Sequence, residues 1–566
     1  MPEDQAHSAR SSSDYSLKSL LDTFSPQIDR WKSKVRQYAC RSAADRLYSG
    51  SHLQRLSDFL QRDEGEFESN ANIKYAVLYD FAKAKPRIDL RNPSDLGRVV
   101  EANMGSQGQS QLLLLRGYPS AAWLSAVGAV FDVDPEFFDQ HLRIQCSQGA
   151  RTASKWPFPS PSAVTEPRLR FTTSGFSQEM NERSRKASHV EGLRKGAKDI
   201  FSKYVRELSN GKARTGDSVL RGISIHDSVN FSFEQDVSIW TKQTDRGWTA
   251  IAWLDFGCHN LADGRLGDSF LIPVAHNHAD SNVFRPVVLG RLRDVLEYPH
   301  ATDQEPLRPD ENGERNPKIN QNVLNLWYQY DCGLDLDLAR LDAFYALSRL
   351  FKLASACERQ FLHLIQQLVA DEVEQAGNFK EDDAYVSNLQ DHQQVLSRHK
   401  KLLRRNVAAI HKHSAWPRHA ALSEIDSSRI SQVAQELEDE FQDLLTDVED
   451  TAKECSQGVN DLTNAANLME AQRAIAQAEG VARLTRLASV FIPLALLAAF
   501  FGMNFHEFGQ GTLHLWVFIA AAVPTFAISI FCLVPGPRDA AVAFWRLCLR
   551  GRNRPRDGVV ELDQLV

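Results

Sequence analysis

Hydrophobic and polar positions follow three different patterns along the chain. Between residues 73 and 300, short apolar runs of strand type alternate with stretches of helical spacing, which predicts an α/β domain with a mixed sheet. After Leu334 apolar residues recur only every three or four positions, which predicts helices alone. Two uncharged apolar runs, 487–501 and 513–534, follow near the end. The fold class predicted is an α/β domain, a long helical stalk and a hairpin of two membrane helices.

Within the α/β region the alternation of β-branched, aromatic and polar residues predicts individual strands. Ser120 is placed to cap one helix, and Asp134 followed by Pro135 to begin another. The prolines among residues 147–168 indicate an exposed loop. The predicted strands are 112–115, 168–171, 229–233, 237–241 and 249–254.

The helical region predicts a pair of helices followed by one very long helix. The pair covers 338–376 and 382–413, and a helix from 427 to 504 would be roughly 117 Å long. A helix of that length cannot bury an apolar stripe on itself, so we predict that its stripe joins copies of the chain. The stripe consists of Leu437, Phe441, Leu444, Val448, Cys455, Val459, Leu462, Ala466 and Met469.

The two terminal apolar runs have the length of membrane spans. Residues 513–534 would cover roughly 33 Å as a helix, and 487–505 roughly 28 Å. About seven residues link them, which predicts a tight hairpin. No Lys or Arg lies between 487 and 534, whereas six Arg follow in 535–566, so both termini are expected in the cytoplasm. The plasma membrane is favoured over an internal membrane.

The composition and motifs argue against a nucleic-acid-binding protein, a secreted protein and an enzyme. The mean hydropathy of −0.36 indicates that most of the 566 residues lie outside the membrane. A net charge of −7 gives no basic surplus for binding nucleic acid, and the eight cysteines form no Cys-x-x-Cys pair. Residues 1–22 lack the apolar core of a secretory signal and the acid-poor amphipathic pattern of a mitochondrial presequence. The sequence contains no phosphate-binding Gly loop and no catalytic triad, so no enzyme is predicted.

The end of the chain carries a family resemblance. Three segments, Arg483-Leu484-Thr485, Phe491-Ile492-Pro493-Leu494 and Phe500-Phe501-Gly502-Met503-Asn504-Phe505, resemble the CorA family of magnesium channels. Residues 117–120 and 134–138 also resemble the cytoplasmic domain of the fungal-type members. The resemblance implies two membrane helices, the first closed by Gly-Met-Asn, and a homo-oligomer, pentameric by the family pattern. It also implies inward movement of Mg²⁺, or of Co²⁺ and Ni²⁺, along the membrane potential.

By the same resemblance, specific residues line the ion pathway. Gly502, Met503 and Asn504 form the selectivity motif, and a ring of Asn504 carbonyls would hold the water shell of an entering Mg²⁺. Ala495 stands where many relatives have a hydroxyl residue, and Glu507 is the only acid of the outer loop. The alternative reading of Asn504 is a capping residue in a membrane hairpin. The implied lining consists of Val481, Leu484, Ala488, Ile492, Ala495 and Ala499.

The predicted stalk contains eight acids within residues 436–450 and no basic residue among them. A solvated helix face explains this composition. The other reading is a regulatory site for Mg²⁺ between subunits, which would offset like-charge repulsion and hold the pore shut. The candidate ligands are Glu436, Asp439, Glu440, Asp443, Asp447 and Asp450.

These patterns divide the chain into seven regions and leave three functions open. A divalent-cation channel is the leading reading, a zinc transporter of the same superfamily is the second, and a membrane-anchored sensor or scaffold that does not conduct is the third.

The basic amphipathic segment 541–550 is predicted to lie against anionic lipid. The regions are an N-terminal helical arm, partly disordered (1–72), the cytoplasmic α/β domain (73–300), a linker (301–335), a helical hairpin packing on the stalk (336–422), the stalk helix (423–486), the pore hairpin (487–534) and a basic cytoplasmic tail (535–566).

Overall fold

The structure, a computed structural model, divides into two units, Met1–Leu462 and Thr463–Val566. It describes residues 26–41, 49–62, 75–83, 86–103, 110–144, 167–177, 187–209, 213–245, 247–257, 282–288, 326–327, 330–331, 333–378, 384–501 and 514–533.

One mixed sheet of eight strands forms the centre of the first unit. The strands are β1 (Ala76–Asp80), β2 (Arg87–Leu90), β3 (Ser110–Arg116), β4 (Arg168–Ser177), β5 (Gly222–Ile225), β6 (Asn230–Thr244), β7 (Gly247–Leu254) and β8 (Asn282–Phe284). Their order is β2-β1-β3-β7-β6-β4-β8, and β5 pairs with β6. The pair β3–β7 is parallel and the other strand pairs are antiparallel. The predicted mixed α/β fold of this region is confirmed.

The sequence prediction of two strands at 229–233 and 237–241 is wrong, because one strand of 15 residues covers both. The polar run Glu234, Gln235 and Asp236 suggested a break. Instead, all three side chains are buried in the sheet. Arg170 of the neighbouring β4 pairs with Glu234 and Asp236, so the polar run continues the strand instead of leaving it.

A first layer of helices covers one face of the sheet. It contains α1 (26–39), α2 (Gln54–Leu60), α3 (Pro93–Asn103), α4 (Ala121–Phe131) and α5 (Pro135–Leu142). The side chains of Ser120 and Asp134 accept hydrogen bonds from the first turns of α4 and α5, which confirms both predicted caps.

Part of the predicted N-terminal helical arm is buried in the core. Trp31, Val35 and Leu56 are buried together with residues of the sheet. Gly128 of α4 supports this packing, since a Cβ built there would lie 2.4 Å from Cζ2 of Trp31. The polar residues of the arm suggested a surface element, but its few apolar residues share one face and fill this layer of the core.

The opposite face of the sheet packs on a second layer of helices. These are α6 (Ala187–Ser209), α7 (Leu336–Leu341), α8 (Ala343–Asn378), α9 (Ala384–His411) and the first part of α10 (Glu424–Phe501). Leu326, Trp327 and Tyr330, predicted as part of a linker, are instead buried in this core. The Tyr330 hydroxyl donates to the Ala346 carbonyl at 2.7 Å, which ties this segment to α8.

The predicted long helix is confirmed, because α10 runs without a break over 78 residues. The prediction that its stripe joins copies of the chain is wrong for Leu437, Phe441 and Leu444, which are at most 1% exposed. They pack against the chain's own α8 and α9, as in the contact of Phe351 and Phe441, whose ring centroids lie 6.2 Å apart. The apolar partner of these three residues is the helical pair α8–α9 of the same chain.

Candidate functional site

The four residues expected at the outer mouth of the pore, Gly502, Met503, Asn504 and Glu507, lie outside the described residues. The description of α10 ends at Phe501, one residue before the Gly-Met-Asn sequence. A second apolar helix, α11 (Leu515–Leu533), is described after the gap.

All six predicted pore-lining residues lie on α10 in the second unit. Val481, Leu484 and Ile492 are 63%, 69% and 66% exposed, so no described part of that unit covers them. By length and composition, α10 is the one described helix that could cross a membrane, and the apolar stretch Leu515–Ile528 is shorter. The predicted lining is therefore a helical stripe that the described residues of the second unit leave uncovered.

The hydroxyl groups of Thr485 and Ser489 form hydrogen bonds within the helix. Thr485 Oγ1 donates to the Val481 carbonyl at 2.8 Å, and Ser489 Oγ donates to the Thr485 carbonyl at 2.6 Å. Pro493 has no N–H group and cannot donate to the Ser489 carbonyl as the helical pattern would require. Hydroxyls bonded to their own helix suit an environment without water, because an unsatisfied polar group there is costly.

The acids of residues 436–450 divide into two groups by the face of α10 on which they lie. Those turned towards α8 and α9 have basic partners. Glu440 pairs with Arg359 at 3.6 Å, and Glu438 Oε1 lies 2.9 Å from His411 Nδ1. Glu449 accepts from Lys400 and Arg404, and these hydrogen bonds lower the pKa of its carboxyl. These three acids fasten α10 to its neighbours.

The second group forms an exposed stripe with the spacing of one helix face. Glu436, Asp439, Asp443 and Asp450 are exposed, and within the described ranges none of them pairs with a basic side chain. Gln432 donates to Glu436 at 3.1 Å, and Gln435 donates to Asp439 at 2.8 Å. The sixth predicted ligand, Asp447, is half-buried.

No group of three or more His, Cys, Asp or Glu side chains in the described part of the chain is arranged to hold a metal ion. The acids of α10 lie along one helix instead of converging on a point. A cation held at this stripe would therefore need ligands from a second surface.

A buried ionic network that the sequence did not predict lies where the sheet meets α9. Glu234 accepts from Arg170 and, at 3.1 Å, from Arg398. Burial raises the pKa of Glu234, but attraction by Arg170 and Arg398 outweighs it and lowers that pKa to about 2. The run Glu-Gln-Asp inside an otherwise apolar strand was the available signal, since buried charges require partners.

A second buried network was also missed. Arg221 donates to both oxygens of Asp255, at 2.6 and 2.7 Å. His141 lies 3.2 Å from Asp255 and 2.8 Å from the Ser238 hydroxyl. Burial lowers the pKa of His141 to about 4 although Asp255 opposes this change, so the imidazole is neutral at pH 7. Both networks hold the sheet and its helices together.

Comparisons with known proteins point to one family. Residues 351–534 match the sequence model described as CorA-like Mg²⁺ transporter protein. A comparison with curated proteins finds no match. Among solved structures, the complete structure of the CorA magnesium transporter from Methanocaldococcus jannaschii is similar at 11% identity, covering 64% of this chain and 96% of that one, with a TM-score of 0.25.

Proposed function

We propose that the chain is a channel that conducts Mg²⁺ across a membrane, because residues 351–534 match the model of the CorA-like Mg²⁺ transporter family. The family match supports transport of divalent cations, and not catalysis, as the activity of the chain. The observation that carries the proposal is α10, a single helix that is packed on α8 and α9 in its first part and uncovered along its apolar end.

The uncovered part of α10 supports assembly from identical copies. Leu468, Ile475, Val481 and Leu484 are each more than 60% exposed in the single chain. Large apolar side chains on a helix are stabilised when a partner removes them from water. We propose that copies, five by the family pattern, associate through this part of α10 and through the membrane spans.

In such a ring the six stripe residues line the pathway. Ala488, Ala495 and Ala499 are small, and Ile492 is the bulkiest side chain in the outer half of the stripe. A lining without hydroxyl groups is a dry constriction, which water and ions cross poorly unless the helices move. We propose that gating acts at Ile492.

At the outer end, the Asn504 carbonyls are proposed as the polar ring that an ion meets first. Mg²⁺ loses water reluctantly, and neutral amide oxygens can order its water shell without removing it. Gly502 and Met503 would position this ring, and Glu507 would add negative charge at the mouth. The topology proposed is a two-span hairpin with both termini in the cytoplasm, in the plasma membrane.

The exposed acids of α10 are proposed as the regulatory sites. Glu436, Asp439, Asp443 and Asp450 have no basic neighbour in the described part of their own chain. When copies approach, these carboxylates repel unless a cation lies between them. Mg²⁺ bound there at high cytoplasmic concentration would favour the closed arrangement. Asp447 would supply further oxygens to the same sites, whereas Glu440, also predicted as a ligand, is paired with Arg359 on the other face.

The test is ion influx into liposomes that contain the purified chain. Mg²⁺, Co²⁺, Ni²⁺ and Zn²⁺ are supplied in turn under an inside-negative potential, with protein-free liposomes as the control. The proposal predicts saturable Mg²⁺ entry, and Co²⁺ and Ni²⁺ entry through the same path. If Zn²⁺ alone enters, the chain is a zinc transporter and the proposal of a Mg²⁺ channel is wrong. If no cation enters although the protein is verified as oligomeric, the remaining reading is a membrane anchor that does not conduct.

A further inference from the structure

A cavity of about 330 Å³ lies between α6, β5 and α9 in the first unit. This volume is at the lower end of the range for small-molecule sites. The polar side chains that line the cavity belong to α6, β5 and α9, and one of them, His226, directly follows β5. They are Arg194, Lys198, Ser224, His226, Asp391, His392, Gln394 and Arg398.

Arg194 makes the cavity a preformed structure. Its Nε and Nη2 donate to the carbonyls of Ile225 and His226, each at 3.0 Å. Its Nη1 lies 2.6 Å from Asn388 Oδ1 and 3.0 Å from Asp391 Oδ2. The guanidinium therefore joins α6 to the end of β5 and to α9, and it neutralises the one acid in the lining.

Other polar atoms around the cavity are buried and have no hydrogen-bond partner among the described residues. They are Ser224 Oγ, His226 Nδ1, both ring nitrogens of His392 and Arg398 Nε. His392 and His226 are each 1% exposed and Ser224 is 5% exposed. His392 Nδ1 lies 3.4 Å from Glu372 Oε2, but the two atoms are not aligned for a hydrogen bond. Buried polar groups in native proteins are normally satisfied, so this cluster indicates a bound partner.

The charge of the lining favours an anion. Lys198 and Arg398 are cationic, whereas Asp391 is already paired with Arg194. Burial lowers the pKa of His226 well below its ordinary value, and the neighbouring His392 and Arg194 lower it further, which reflects the positive surroundings. Arg398 also bonds Glu234 through Nη2, and this leaves its Nε as the open donor.

We propose that this cavity binds a small phosphate-bearing anion. The open donors approach from α6, from the end of β5 and from α9, so they suit an acceptor with oxygens in several directions. A tetrahedral phosphate meets that requirement, whereas a planar carboxylate presents two oxygens in one plane. The cavity is larger than one phosphate group, so a phosphate monoester fits as well as the free ion. Because the ligand would contact three elements at once, it would stabilise the folded first unit.

The test measures phosphate binding directly and does not depend on ion conduction. The purified full chain in detergent is dialysed to equilibrium against radiolabelled orthophosphate, with glycerol 3-phosphate and acetate as competitors. The proposal predicts saturable binding of one phosphate per chain. Glycerol 3-phosphate should compete at least as well as unlabelled phosphate, and acetate should not.

Two lysines of α6 give a matched pair of variants. Lys198 lines the cavity, whereas Lys203 is outside its lining, and both side chains are exposed, so Lys198→Gln and Lys203→Gln remove the same charge without disturbing the core. We expect Lys198→Gln to weaken phosphate binding about tenfold and Lys203→Gln to change it less than about twofold. His392→Gln, checked for an unchanged unfolding midpoint, should weaken binding as Lys198→Gln does. Absence of saturable binding, equal competition by acetate, or equal effects of the two lysine variants would each overturn the proposal.

Discussion

Glu234 shows how strongly one buried residue can determine the stability of this fold. Its carboxylate is 1% exposed and neutralises Arg170 and Arg398, two guanidinium groups from different layers. Replacing it by Gln keeps its shape and removes its charge, which takes from Arg398 its carboxylate partner and leaves Arg170 with Asp236 alone. We expect the free energy of unfolding to fall by about 3–5 kcal/mol, measured by urea denaturation with tryptophan fluorescence.

The control for this change is Glu449→Gln. Glu449 also accepts from two basic side chains, Lys400 and Arg404, but the pair lies at the surface. Solvent screens exposed pairs, so no measurable loss of stability is expected. Equal losses in the two variants would mean that burial does not set the importance of the Glu234 network.

His141 gives the fold a dependence on pH. Its pKa is lowered by burial to about 4, so it remains neutral in the folded chain at pH values where an unfolded histidine is protonated. The stability that it contributes is therefore fully present above about pH 6.5 and is lost as the pH falls from there towards 4. Each such histidine adds a slope of about 1.4 kcal/mol per pH unit in this window, and His226, whose pKa is also lowered, acts in the same direction.

The measurement is the free energy of unfolding of wild type and His141→Gln from pH 4 to pH 7. Below pH 6.5 the wild-type curve should fall more steeply than that of the variant. Parallel curves would show that His141 is not held neutral. Its ring stacks on Trp253 with centroids 4.0 Å apart, so tryptophan fluorescence reports on the same place.

At the scale of elements, α10 has two parts with different tasks. Leu444 is fully buried against the chain's own core, whereas Ile475 is 61% exposed. Leu444→Ala should lower the free energy of unfolding by about 2–5 kcal/mol and leave the mass of the assembly unchanged. Ile475→Asp should leave the first unit folded and reduce the mass of the detergent-solubilised particle, measured by light scattering.

Two outcomes would contradict this division of α10. An unchanged mass for Ile475→Asp would remove the exposed part of α10 from the proposed assembly surface. Dissociation by Leu444→Ala without any loss of folding would restore the original prediction that the buried stripe joins copies.

The sequence predicts those elements that follow from local chemistry. The helix caps Ser120 and Asp134 and the long helix α10 were predicted because capping residues and helical spacing act over a few positions. Short strands such as β2 and β5, at four residues each, were missed because they hold too few positions for alternation to show. The partner of an apolar stripe depends on the tertiary fold, and this is why Leu437 and Phe441 were assigned to another copy.

In the candidate site, too, features set by neighbouring residues were predicted and features set by the tertiary fold were not. Gly502, Met503 and Asn504 were identified because they form a motif of three consecutive residues. Their role in ion selectivity remains a prediction. The cavity around His226 and His392 was not found, because its residues are separated by more than 160 positions and the fold alone brings them together. The acids of α10 were visible as a group, but their division into paired and open residues required the neighbouring helices.

At the scale of the whole molecule, the proposed hairpin fixes which ends share a side of the membrane. Gln510 lies in the polar link between the apolar runs, and six Arg follow the second run. We expect Gln510→Cys in intact cells to react with a membrane-impermeant thiol reagent, and tags at both termini to be reached only after permeabilisation. Wild-type chain, with its native cysteines, is the control. Tags found on opposite sides would contradict the hairpin.

The most direct test of the central claim is Mg²⁺ influx through Asn504→Ala compared with wild type, in liposomes holding equal amounts of oligomeric protein. If a ring of Asn504 amides orders the water shell of the entering ion, the variant should insert and assemble normally, because a neutral residue at the membrane surface contributes little to insertion. Its Mg²⁺ flux should fall to the level of protein-free liposomes. Equal flux through wild type and variant would contradict the account.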